Sequence, residues 1–143
     1  MRTLQDVDAA SDRCNADPQS TRPSTGRVVR AGAFAGALAA VGTTVIAVIA
    51  SAADVSLEVD AEPIPIAAFT WWTVIGAALG VVLARLVRDR RRFTVVTVVG
   101  TGFSLVPAIA LPDDTATTAV LVSCHLLAAA IIIPVLRHQF AAR

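Results

Sequence analysis

The sequence predicts an all-α fold: a bundle of four transmembrane helices made of two helical hairpins, preceded by a disordered N-terminal tail. Three observations carry the prediction. Of 143 residues, 55% are hydrophobic and 16% charged, whereas soluble domains are about a quarter charged. A soluble chain of this length hides only about two-thirds of its surface, too little for so much apolar material. Four stretches free of Arg, Asp and Glu divide the chain, each near the ~20 residues that cross a bilayer core. All twelve basic residues are Arg, and none falls between Arg30 and Arg85 or between Arg92 and Arg137.

Residues 1–30 are polar, rich in Asp, Arg, Ser, Thr and Pro, and lack an apolar period; they read as a disordered tail. Cys14 in this tail reads as an exposed thiol. The first span covers residues 31–53. It contains Ala50-Ser51-Ala52, the form of a signal-peptide cleavage site, but the segments before it are longer than a signal peptide uses. It is therefore read as a retained helix. Residues 54–65 form an acidic loop in which Val55, Leu57 and Val59 alternate with polar residues, the pattern of an extended segment. Pro63 and Pro65 cannot continue a helix but suit the first turn of the next one. The second span covers residues 66–84, with Phe69, Trp71 and Trp72 near its start in the position of an interfacial aromatic belt. Arg85 and Arg88 follow, able to snorkel to headgroups. Asp89 to Arg92 form a tight basic turn. The third span covers residues 93–111. Asp114 offers an N-cap to the fourth, residues 115–136. Residues 138–143 form a short tail.

The charges orient the molecule. If both termini lie inside, every Arg lies inside, and the two outer loops carry only Asp54, Glu58, Asp60, Glu62, Asp113 and Asp114. The positive-inside rule then predicts cytoplasmic N and C termini in a multi-pass protein. Arg85, Arg88, Arg90, Arg91 and Arg92 serve as topology determinants, and they can attract anionic lipid headgroups.

In lipid, helices associate through small residues and polar contacts. Gly32 and Gly36 form one G-x-x-x-G ridge, and Gly76 and Gly80 form another; both read as packing faces within the chain. Thr94, Thr97, Thr101 and Ser104 make a hydroxyl stripe at helical spacing, expected to face protein. Pro107 and Pro134 are expected to kink their helices by freeing backbone carbonyls. Val41-Gly42-Thr43 recurs as Val99-Gly100-Thr101, a faint echo between the two hairpins that leaves a duplication open.

One candidate site emerges. His125 is the only ionisable side chain near the middle of a span, at a depth shared with Thr101 and Ser104. An ionisable group at that depth is a functional hypothesis by default. Two readings stay open: a neutral imidazole donating a hydrogen bond to Ser104 or Thr101 to hold two helices together, or a proton relay or quinone or haem contact. No metal site is expected, because Cys124 points about 100° away around the helix and no second His or carboxylate shares the depth. No catalytic set can be assembled: carboxylate pairs, Ser-His-Asp sets and phosphate loops are all missing from the spans. No cofactor is expected. A net charge of +1, with no basic cluster interleaved with aromatics, gives no case for nucleic acid. Two cysteines in such unlike settings cannot build a disulfide framework.

Several stretches resemble a family of small four-helix bacterial membrane proteins catalogued only as a domain of unknown function. They are the segment from Ile66 to Ala84, the Arg turn, Phe103-Ser-Leu-Val-Pro107, Asp113-Asp-Thr-Ala-Thr117 and His125 to Pro134. The resemblance spans about Arg27 to Arg137 and implies a bacterial plasma membrane, with no activity to carry over. Trp72 departs from it, standing where a smaller polar residue is expected. The expected function is a non-enzymatic membrane subunit, structural or bound to another membrane protein. The alternatives are a small transporter or proton-linked carrier, or a quinone- or redox-binding protein, each centred on His125.

Overall fold

The computed structural model describes residues 25–87 and 89–140. Its elements are α1 (Thr25–Ala52), β1 (Glu58–Val59), β2 (Glu62–Pro63), α2 (Ile66–Leu86), α3 (Arg90–Ala110) and α4 (Thr115–His138). All four helices are long and apolar enough to cross a membrane. The chain is a multi-pass membrane protein built on four helices. Cys14, Arg88 and most of the expected N-terminal tail lie outside the described residues.

The helices run further into polar sequence than the apolar spans alone suggest. The expected tail was bounded at Arg30, yet α1 begins at Thr25. Val28 explains this: it is buried against Leu136 and its neighbours, which draws the helix past the apolar stretch. Arg27 and Arg30 lie on the exposed side of the same turns. α3 starts at Arg90 because Asp89 caps it, accepting from the backbone N–H of Arg91 and Arg92; this satisfies donors that every helix start leaves open. α4 starts after Asp114, whose side chain accepts from the N–H of Thr117. Both internal prolines, Pro107 and Pro134, lie within continuous helices and on exposed faces.

Packing is uneven. In α1, 39% of the apolar window is buried, against 11% in each other helix, so α1 is the central helix. It packs most extensively on α2 and α4; α3 rests on α4 and touches α2 only lightly. Two apolar clusters divide the bundle by depth. One, at the arginine end, contains Val28, Phe93, Leu136 and Phe140. The Phe93 and Phe140 rings lie 5.2 Å apart at 35°, within the range of favourable offset aromatic pairs. The other, toward the acidic end, gathers Ala47, Ala50, Leu57, Phe69 and Cys124.

The acidic loop after α1 folds back on itself. β1 and β2 pair antiparallel, Glu58 opposite Pro63 and Val59 opposite Glu62. The turn between them, Asp60-Ala61, has positive φ at both residues, 54° and 61°, as a two-residue hairpin of this twist requires. Leu57 also has positive φ, 50°, and this conformation turns its side chain into the bundle, where it is 4% exposed. The expected extended segment from Val55 to Val59 is therefore broken at Leu57, whose left-handed backbone makes it a buried anchor, and the strand begins only at Glu58.

Candidate functional site

His125 lies on α4, half-buried. Its Nδ1 is 2.8 Å from the carbonyl of Leu121, one turn earlier on the same helix. A carbonyl only accepts, so this hydrogen bond puts the ring proton on Nδ1 and leaves Nε2 a lone-pair acceptor in the neutral imidazole. The expected bond from His125 to Ser104 or Thr101 is not among the hydrogen bonds of the described residues. The hydroxyls turn inward on α3 instead: Thr101 donates to Thr97 O at 2.9 Å and Ser104 to Thr101 O at 2.8 Å. The physical reason is proximity. A Ser or Thr hydroxyl in a helix always has a carbonyl three or four residues back within reach, and His125 finds its own in the same way. Thr97, Thr101 and Ser104 are nonetheless half-buried, on the side of α3 that also buries Phe93 and Ala108. His125, Thr101 and Ser104 are each satisfied within their own helix. Cys124, next to His125, is buried on another side, with its Sγ 3.8 Å from Thr43 O of α1.

The hydroxyls that do bridge helices are elsewhere. Thr43 Oγ1 on α1 lies 3.0 Å from Thr73 Oγ1 on α2, and Thr44 Oγ1 lies 2.6 Å from Thr70 Oγ1. Thr43 and Thr44 also reach Ala40 O, and Thr73 reaches Phe69 O. Sequence reading gave Thr43 and Thr44 no partners. The antiparallel register of the first hairpin, which brings the Thr70–Thr73 turn to their level, was the signal.

Of the four glycines read as packing faces, three are. A Cβ at Gly32 would run into Val81, one at Gly36 would lie 2.7 Å from Ala77 Cβ, and one at Gly80 would lie 3.2 Å from Leu136 Cδ1. Gly76 is the exception: it is exposed, and a Cβ there would meet nothing within 4 Å. The face that α2 buries carries Phe69, Ala77 and Ala84, which puts Gly76 to one side. Gly42, not singled out by spacing, would place a Cβ 2.8 Å from Leu127 Cδ2. Its echo Gly100 faces open space, so the repeated Val-Gly-Thr tripeptides sit in unlike surroundings.

The two ends of the bundle differ in construction. At the acidic end the two loops are stitched together. Val59 bridges Pro112. Ala61 N donates to Asp113 Oδ2 at 2.8 Å, and Ser56 Oγ donates to Asp114 Oδ2 at 2.8 Å. Thr117 donates to Asp114 through its hydroxyl, 2.6 Å, and its N–H, 2.8 Å. These bonds, first the Thr117 hydroxyl, then its N–H, then Ser56, hold the Asp114 carboxyl down at about 2. At the arginine end, Arg85, Arg90, Arg91 and Arg92 are exposed. Arg90 and Arg91 share a groove of about 370 Å³ with Asp89, Thr94, Val95 and Arg137. Arg137, at the end of α4, is therefore part of the same surface.

Among the described residues, no three His, Cys, Asp or Glu side chains converge as metal ligands would. Residues 23–142 match the model of a protein family described as a family of unknown function. No curated protein and no solved structure matches the chain.

Proposed function

We propose that this chain, which belongs to the DUF6069 family, is a non-enzymatic membrane subunit that holds another membrane protein against α3. One observation carries the proposal: α3 rests on α4 and little else, so one long face of it has no neighbour among the described residues. That face presents Val95, Val99, Gly102, Val106 and Ile109, all exposed. β-Branched side chains lose little rotamer freedom on docking, and a glycine lets a second backbone approach, the composition of helix contacts in lipid. Purification in mild detergent is expected to bring down a stoichiometric membrane protein that crosslinks to Val106→Cys but not to Val82→Cys on α2. A lone chain, crosslinked to nothing at either position, overturns the proposal.

The site of action in this proposal is a bacterial plasma membrane, with both termini in the cytoplasm. The partition of charge supports it: among the described residues every arginine lies at one end of the bundle, and the other end carries six carboxylates and no arginine. An impermeant thiol reagent added to intact cells should label Glu62→Cys and spare Arg91→Cys; the reverse pattern removes the orientation.

A second reading rests on His125, a base near mid-membrane whose Nε2 has no hydrogen bond among the described residues. It favours a small proton-linked carrier, or a protein that binds a quinone-type hydrogen-bond donor. His125→Gln should then abolish proton-coupled flux in liposomes, or quinol binding; unchanged behaviour in both assays removes this reading.

A further inference from the structure

We propose that the groove between the first turn of α3 and the last turns of α4 binds the phosphate of an anionic glycerophospholipid. Three guanidinium-bearing residues from two helices border it: Arg90 and Arg91 from α3 and Arg137 from α4. They are far apart in sequence and are brought together by the packing of α3 on α4, which the Phe93–Phe140 contact closes at the same end. Guanidinium groups present paired N–H donors that match phosphate oxygens.

The one carboxylate in the groove is already committed. Asp89 accepts from Arg91 N at 3.3 Å and from Arg92 N at 3.1 Å, so its charge is spent on the start of α3. Three arginines against one aspartate leave a local excess of two positive charges. Thr94 Oγ1 donates to Arg90 O, which leaves its lone pairs, not its proton, facing outward. Phosphate recognition therefore falls to the arginines.

A lipid, rather than a dissolved anion, fits the direction of the groove. Its bounding residues pass from charge to hydrocarbon within one turn, from Arg91 to Val95. Beyond Val95 the surface continues along α3 as Val98, Val99 and Gly102, all exposed, with open space above Gly102. The polar part lies at the helix ends, at headgroup depth, and the valine track runs where an acyl chain lies. The acyl track shares Val95, Val99 and Gly102 with the face proposed for a partner helix, so lipid tail and partner would compete there; the phosphate site at the arginines does not require a protein partner.

Native mass spectrometry of the full chain tests it, with phosphatidylglycerol, phosphatidylcholine and inorganic phosphate as separate probes. The chain should retain one phosphatidylglycerol. The double variant Arg91→Gln/Arg137→Gln should lose on the order of 25-fold in affinity, two arginine contacts near the surface. Arg27→Gln/Arg30→Gln removes the same charge from α1 and should retain the lipid. Arg91→Lys/Arg137→Lys, which keeps the charge and tests folding, should retain most of it. Equal loss in both Gln doubles would reduce the effect to net charge and overturn the site. Equal retention of phosphatidylcholine would show an apolar annulus only, and displacement by millimolar phosphate would show a soluble-anion site; either overturns the lipid assignment.

Discussion

Along the α1–α2 seam the hydroxyls of Thr43 and Thr44 reach across to Thr73 and Thr70, and backbones approach closely enough that Gly36 leaves no room for a Cβ beside Ala77. Along the α3–α4 seam the hydroxyls of Thr97, Thr101 and Ser104 bend back to their own helix. There the contact is made by larger groups, with Phe93 against Phe140 at one end. Similar residues, Thr and Gly at helical spacing, thus build two kinds of interface. What separates them is whether the neighbouring backbone comes close enough for a short side chain to span the gap. Where it does not, the carbonyl one turn back takes the proton, and the residue contributes little to association.

The contrast can be broken most severely at Gly36. Gly36→Leu should cost about 3 kcal/mol by overpacking, read as a shift in the detergent unfolding curve followed by Trp fluorescence. The paired change Gly76→Leu, into open space, should stay within about 0.5 kcal/mol. Comparable losses at both positions would mean that α2 presents the wrong face. Next in size is Thr43→Val, expected to cost about 1 kcal/mol for an interhelical hydroxyl contact. A double-mutant cycle with Thr73→Val should give a clear coupling energy, since both partners of one bond are removed.

A third effect is local. The Asp114 carboxyl sits at about 2 in the folded protein, below its ordinary 3.8. Its contribution is therefore fully present above pH 3.8 and is lost as the pH falls through about 2. Labelling of Leu57→Cys with a dipyridyl disulfide, which protonation of its pyridine keeps reactive in acid, should rise over that window as the loop lifts from α4. Asp114→Asn should label readily at neutral pH and respond little to acid. The smallest effect sharpens the comparison from the other side: Ser104→Ala, on the self-satisfied stripe, should change stability by no more than about 0.5 kcal/mol. A loss near that of Thr43→Val would reveal a cross-helix contact of Ser104.

The four spans were legible because membrane transfer is nearly a sum over the residues of a window, and charge partition needs no three-dimensional knowledge. Helix ends were less legible. Thr25 to Arg30 and Arg90 to Arg92 are polar, yet Val28's burial and Asp89's cap make them helical, and neither is visible in hydropathy. Glycine spacing found three close approaches and misplaced Gly76, because spacing says that residues share a face without saying which face is covered. The hydrogen-bond partner of His125 depended on competition between a neighbouring helix and its own Leu121 carbonyl, which only coordinates decide. The hairpin at Glu58–Pro63 was unreadable for a related reason: its turn is Asp-Ala, without the glycine that usually announces positive φ.

The stitching of the acidic loops also bears on the order in which the molecule is made. Ser56 and its acceptor Asp114 are separated by 58 positions, and Ala61 and Asp113 by 52. During synthesis the first loop forms well before the carboxylates that fasten it have emerged. Until the last helix is inserted, Leu57 has no Cys124 beside it and the Asp60-Ala61 bend has no Asp113 to hold it. A chain stalled after its first hairpin therefore displays an unfastened loop to proteases on that side of the membrane, and a finished one does not.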